Sequence, residues 1–264
     1  MAIWLDVFRY RDLFLNLFRR ELRVKYKGSA LGLAWSLVNP LALVGVYTLV
    51  FSVLWRAVSV RHYPLFVVSG LLTWVFFQSS VQMSCTALLG HANLVKQVRF
   101  PRQLLPLSVV ATNTVTFAAM LAVILPINLA LVPATRSTFW AVFPLSFALV
   151  ALSSGLAVIV ACANVLFRDI EHLVATVLLP WFFLTPVFYP LDTLPGVEHH
   201  GTLVAVVHYA NFVTPVLDAI RDPLFFGRLP SSVDVVYAAV AGVVSLALGA
   251  LVFRRADDRL AAEL

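Results

Sequence analysis

Six long apolar runs separated by short polar clusters set the pattern of this chain: Ala30 to Trp55, Tyr63 to Leu89, Leu104 to Val132, Phe139 to Phe167, Leu173 to Phe188 and Val235 to Phe253. At about 1.5 Å of rise per residue, each reaches or approaches the roughly 30 Å hydrocarbon core of a bilayer, so the pattern predicts six membrane spans. The fifth is short and is interrupted by Pro180 and Pro186. A seventh stretch, Leu203 to Leu217, carries His208, Asn211, Thr214 and Pro215. It is too short and too polar to span, and reads as a re-entrant or interfacial segment. Irregular backbone survives at membrane depth only where protein or a water-filled cavity satisfies it. Residues 189–232 are therefore predicted to border a lined pathway.

Ahead of the first run the periodicity changes. Stepping 100° per residue gathers Trp4, Val7, Phe8, Phe14, Leu15, Phe18, Leu22 and Tyr26 on one face, with Arg9, Asp12, Asn16, Arg19, Arg20 and Arg23 opposite. Arg11 is the one cation read on the apolar side. Residues 1–28 are thus predicted to form an amphipathic helix in the headgroup plane. Its pattern suits a lipid anchor and equally a helix whose polar face docks a cytoplasmic protein. Asp6, Arg9, Arg11 and Asp12 interrupt any signal-peptide core, so insertion is expected to rely on the first span. Gly28 and Ser29 mark the break, and no cation follows until Arg56, which makes the pair a candidate hinge.

Composition agrees with lipid as the solvent: 61% of the 264 residues are hydrophobic and only 12% charged. The net charge of +6 is a topological excess, with no basic surface left over for nucleic acid. With six spans, fourteen Lys or Arg fall on the side of the termini, and only Arg56, Arg61, Arg136, Arg221 and Arg228 on the other. That bias places both termini in the cytoplasm. Cys85 and Cys162 lie in separate apolar runs, so neither a disulfide framework nor a metal cluster is expected.

Candidate chemistry is sparse. The second run holds Ser69, Thr73, Gln78, Ser79, Ser80, Gln82, Ser84 and Thr86, and the third adds Thr112, Asn113, Thr114 and Thr116. Such groups serve helix packing or line a polar channel, and composition leaves both open. Aromatic rings cluster at Trp74, Phe76 and Phe77 and again at Trp181, Phe182, Phe183, Phe188 and Tyr189, as an interfacial belt or as a path surface. Between the second and third spans, Lys96, Arg99 and Arg102 recur every third residue in a segment bounded by Pro101 and Pro106; if helical, they share one face. Glu198, His199 and His200 read as an exposed loop, since metal-ligand spacing is missing. Asp218, Arg221 and Asp222 read as a local charge set. Lys25, Lys27 and Lys96 are followed by Tyr, Gly and Gln, so no phosphate-cradling G-x-x-x-x-G-K-[ST] loop exists and any ATP must be hydrolysed elsewhere. No carboxylate pair sits inside a span, which disfavours a proton-coupled carrier.

Several pieces, in this order, carry a resemblance: YKGSALGLAWSLVNPL (Tyr26 to Leu41), NLVKQVRFPRQLLPLS (Asn93 to Ser108), FRDI (Phe167 to Ile170), TPVFYP (Thr185 to Pro190), and Asn211 with Arg221, Pro223, Leu224 and Gly227. Together they resemble the membrane subunits of ABC-2 type transporters that export lipid-linked polysaccharides such as O-antigen, capsule or teichoic acid. The resemblance implies a single all-α transmembrane domain over residues 1–264. It would comprise an interface helix (1–28), spans one to five (30–188), extracytoplasmic re-entrant helices (189–232) and span six (235–253). It further implies that Arg19, Arg20, Glu21, Arg23, Lys96, Arg99 and Arg102 contact a nucleotide-binding subunit. Arg168 and Asp169 would form the second cytoplasmic turn and pair. Phe182, Phe188 and Tyr189 would border the translocation path. The family commonly places Pro directly after the late Asn, whereas Phe212 follows Asn211 here and Pro215 comes later.

The implied function is the channel-forming subunit of an ATP-driven polysaccharide exporter in a bacterial inner membrane. It would act as a homodimer with two ATPase copies, with ATP and Mg on that partner and no cofactor or enzymatic activity of its own. The rivals are an ABC-2 exporter of drugs or small lipids and a membrane-embedded enzyme of glycan or lipid assembly. The second should show a catalytic cluster of acidic or His residues at the membrane surface, whereas this chain spends its few charges on cytoplasmic cations.

Overall fold

The computed structural model describes residues 2–27, 32, 35–54, 60–98, 100–190 and 201–263. Every regular element among them is helical: α1 (Ala2–Arg9), α2 (Arg11–Tyr26), α3 (Trp35–Tyr47), α4 (Tyr63–Cys85), α5 (Ala92–Gln97), α6 (Leu104–Leu131), α7 (Val142–Leu166), α8 (Ile170–Leu184), α9 (Gly201–Ala210), α10 (Thr214–Arg221) and α11 (Ser232–Glu263). π-Helical turns extend α3 over Thr48–Leu54 and α10 over Asp222–Phe226. Gly227 ends the second of these at φ 67, a left-handed conformation that costs glycine nothing.

Helices α4, α6, α7 and α11 are long and apolar enough to cross a membrane. The first and fifth predicted runs hold shorter apolar helices, α3 and α8. The 15 residues of α8 rise only about 22 Å, less than the hydrocarbon thickness.

The core centres on α4, whose Phe66, Val67, Leu71, Leu72, Trp74 and Phe77 are buried. Around it pack α3, α6, α7, α8 and α10, and α11 lies against α7. Helix α10 is not peripheral: Val216, Leu217, Ala219 and Ile220 have no exposed surface. It sits with the start of α4 and the α6–α7 connection, where Asn128 Nδ2 donates to the Leu224 carbonyl at 2.9 Å and Thr138 Oγ1 to that of Pro223 at 3.0 Å. A second cluster at the opposite end joins Leu17 of α2 to Leu88, Val95, Leu104, Phe253 and Leu260.

Four expectations need correction. The N-terminal helix is two helices, because Tyr10 leaves helical geometry (φ −108, ψ 35). Pro106 does not stop a helix; it lies in the first turn of α6, where its missing N–H is no loss. Helix α11 runs well past Phe253, to Glu263. On α2, Arg11 is not the inward cation: its side chain is exposed, 4.0 Å from Asp12, whereas Lys25 turns into the protein. The candidate hinge Gly28–Ser29 lies outside the described residues.

Candidate functional site

The turn that follows α8 leaves the backbone carbonyls of Pro186, Val187 and Phe188 outside any helical ladder. Here they are met by buried side chains from elsewhere. Arg221 donates through Nη1 to the Pro186 carbonyl and through Nη2 to that of Val187, both at 2.8 Å, and Tyr63 donates to Phe188 O at 2.6 Å. Arg221 is 2% exposed, its guanidinium lies 4.2 Å from the Phe66 ring centre, and Nη1 is 3.2 Å from Asp218 Oδ1. Gly70 makes room for this arrangement, because a Cβ there would collide with Arg221 Nη2 and with Val187 O at 2.8 Å. Asn211 adds a second anchor. It accepts from Trp181 Nε1 and donates to Thr185 Oγ1, each at 2.8 Å. TPVFYP, Asn211 and Arg221, scattered in sequence, are thus one polar latch between α8 and α10. Pro215 stands in the first turn of α10, and Phe212 packs edge-on against Trp181 at 4.8 Å.

The latch fixes an aromatic cluster. Phe188 stacks on Tyr47 at 5.1 Å with planes 8° apart, lies 5.0 Å from Phe51 and meets Phe182 at 5.7 Å. Phe182 reaches Trp74 at 5.6 Å, and Phe77 reaches Trp181 at the same distance. The two aromatic groups of the sequence are therefore one surface joining α3, α4 and α8. Phe76 departs from it and packs on Phe117 of α6. Of the path candidates, Phe182 and Phe188 are buried within this subunit, and Tyr189 is half-buried with its hydroxyl on Phe183 O. Phe183 presents the exposed ring.

Helix α4 divides its polar residues by face. Ser69, Thr73, Ser80 and Ser84 have no exposed surface, so their small size serves packing against neighbours. Gln78, Ser79 and Gln82 are half-buried on another face, with Gln78 accepting from Trp74 Nε1 and Gln82 donating to Glu171 O. On α6, Thr112 and Thr114 bond within their own helix, whereas Asn113 and Thr116 take Lys25 of α2.

At the opposite end, the predicted docking residues separate. Helix α5 stops at Gln97, so Lys96 and Arg102 do not share a helical face, and Arg99 lies outside the described residues. Arg102 pairs with Asp257 of α11 at 3.1 Å, and Glu21 of α2 with His91 at 3.2 Å. The Glu21 hydrogen bond raises the His91 pKa above its usual value, against the opposing pull of burial. Arg19, Arg20, Arg23 and Lys96 are exposed. Arg168 and Asp169 are exposed in the α7–α8 turn, with no ion pair between them. What holds that turn is Asn164, 1% exposed, which donates to Cys85 O and accepts from the Glu171 N–H, both at 2.9 Å. A lone Asn in an apolar run is the signal that could have found it.

The predicted charge set near Arg221 is larger than three residues. Asp222 pairs with Arg228 at 2.9 Å, and His208 of α9 lies 3.6 Å from Asp218 and 3.2 Å from Asp234 of α11. Glu198, His199 and His200 lie outside the described residues. Cys85 and Cys162 are buried free thiols.

A helical bundle with four helices long and apolar enough to cross a membrane and a basic amphipathic segment at one end defines a multi-pass membrane protein. More particularly, this chain belongs to the ABC-2 type transporter family, whose model matches residues 12–225. It is 34% identical over 260 residues to an "O-antigen export system permease protein RfbA" of Myxococcus xanthus, covering 97% of this chain and 96% of the relative. A protein of the same name from Klebsiella pneumoniae is 30% identical over 70% of this chain and 71% of its own. A "Polysialic acid transport protein KpsM" of Escherichia coli is 21% identical over 92% of this chain and 93% of its own.

Proposed function

We propose that this chain is the channel-forming membrane subunit of an ATP-driven exporter that moves lipid-linked polysaccharide across a bacterial inner membrane. The observation that carries the reading is the near end-to-end similarity to permeases named for O-antigen export. Two copies would enclose the path, and two ATPase subunits, holding ATP and Mg, would bind the cytoplasmic side where both termini lie.

The geometry supports a division of labour. Exposed Arg19, Arg20, Arg23 and Lys96 are available to a partner, while Glu21 and Arg102 join α2, α5 and α11 into one unit able to pass on its motion. The Arg102–Asp257 pair, whose carboxylate is exposed, is worth at most about 1 kcal/mol, so that tie can shift without unfolding. Where the ring cluster on α3, α4 and α8 reaches the surface, exposed Phe183 and half-buried Tyr47, Phe51, Trp181 and Tyr189 offer apolar faces for sugars. Half-buried Gln78, Ser79 and Gln82 of α4 serve as polar partners, while Trp74, Phe77, Phe182 and Phe188 stay buried beneath.

Reconstitution with its ATPase partner in vesicles tests the reading. ATP-dependent appearance of glycan on the far side is expected, with loss when Arg19, Arg20 and Arg23 are reversed in charge. Transport of a small amphiphile with no glycan movement would favour the drug or lipid exporter instead.

A further inference from the structure

Helix α2 lies with its cationic face outward, yet one cation points the other way. Lys25 follows Leu15, Phe18 and Leu22 on the apolar side, where a helix in the headgroup plane faces the membrane. Its Nζ donates to Asn113 Oδ1 at 2.8 Å and to Thr116 Oγ1 at 3.0 Å, and the Tyr26 hydroxyl shares a hydrogen bond with the same Thr116 at 2.9 Å. Asn113 stands about 13 Å of helix rise beyond the cytoplasmic start of α6. The ammonium is therefore held below the surface, against a spanning helix.

No carboxylate accompanies it. Among the described residues Lys25 forms no ion pair, and both its oxygen partners are neutral. An ammonium has three donors, and two are used. A half-buried charge at this depth is costly unless an anion completes it. Burial accordingly pulls its pKa below the ordinary lysine value.

The geometry points to Lys25, with Asn113 and Thr116 aiming it, as a binding site for the phosphate of a lipid at the cytoplasmic leaflet. The site deepens the export reading by giving the lipid carrier a place to be recognised, and it rests on that reading only for its biological role. Inorganic phosphate presents the same oxygens, but a site reached from the apolar face of α2 selects the phosphate that arrives attached to an acyl or isoprenoid chain. Lysine suits this task, since it recognises phosphate as a point charge without demanding one planar geometry.

Binding is measured on the purified full chain in neutral detergent, by native mass spectrometry with phosphatidic acid, phosphatidylcholine and inorganic phosphate as probes. Phosphatidic acid is expected to bind preferentially, with Lys25→Gln weakening it about tenfold or more and Lys25→Arg staying within about threefold. Asn113→Asp places a carboxylate against the ammonium. It should keep or raise the thermal midpoint while abolishing phosphatidic acid binding, an outcome that loss of folding cannot mimic. Wild-type binding by Lys25→Gln or Asn113→Asp, each verified as folded, would overturn the site. Equal binding of inorganic phosphate would overturn its assignment to lipid. The assay contains neither ATP nor glycan, so a failure here leaves the export reading standing, and a failure of export leaves this site standing.

Discussion

The helix pairs α7–α11 and α3–α8 are both apolar, and they are held in opposite ways. Where α7 meets α11 the backbones nearly touch: a Cβ at Gly155 would fall on the Ser245 carbonyl, and one at Gly249 would lie 2.8 Å from Gly155 O. Ser245 Oγ donates across the contact to Leu152 O at 2.7 Å. Lipid tails are as apolar as side chains, so close approach of this kind and hydrogen bonds across it are what join helices in a membrane. Helices α3 and α8 have little of either. Only Leu178 and Phe182 of α8 are buried, Leu179 and Leu184 are more than 60% exposed, and a Cβ at Gly45 of α3 would meet nothing within 4 Å. Polar latches fix α8 at its ends, through Asn164 and Glu171 at one and through Asn211 and Arg221 at the other. One pair is a sealed wall. The other keeps an open apolar face between two anchored ends, which suits helices that border the proposed path and meet the second copy.

Breaking a latch should cost more than disturbing the wall. Arg221→Met strands the Pro186 and Val187 carbonyls and leaves Asp218 without its guanidinium, so a loss of about 3 kcal/mol is expected. Denaturation in detergent measures it, and hydrogen exchange should rise first at residues 185–190; a loss under about 1 kcal/mol would mean that packing, not the latch, holds α8. Gly155→Val pushes α11 off α7 and should cost about 2 kcal/mol, with faster exchange along both helices. If it is tolerated, the wall is not sealed.

The Glu21–His91 pair makes a smaller, pH-dependent test of polar anchoring at the end of the bundle where α2 packs. Because the folded-state pKa of His91 is raised, its contribution is complete below the ordinary imidazole value. It disappears as pH climbs through the raised value. Cross-linking of α2 to residues 89–97 should therefore be stronger at low pH by under about 1 kcal/mol, and Glu21→Gln should flatten the profile. Smallest of all for the fold is Gly45→Leu, expected within about 0.5 kcal/mol of wild type. Self-association in detergent should nevertheless weaken, and an unchanged dimer fraction would remove α3 from the proposed subunit contact.

Much of this was legible in the chain. Apolar run length located all six helices that occupy those runs, because a bilayer demands a minimum length and apolarity whatever the neighbours are. Periodicity found the faces of α2 well enough to separate lipid from water, yet it missed Lys25, whose azimuth lies among apolar residues. The spacing of Lys96, Arg99 and Arg102 suggested one face only on the assumption of a continuous helix, and α5 ends before the series is complete.

The sequence by itself therefore determined the solvent of this protein, its helical class, its family and the absence of an ATP-binding loop, since each follows from local composition, length or order. Tertiary structure alone decided which polar groups are used. Arg221, Asn211, Asn164 and Lys25 each find oxygens 26 to 91 residues away in the chain. A buried donor takes whichever acceptor the packed helices bring within about 3 Å, and no pattern along the chain records that distance.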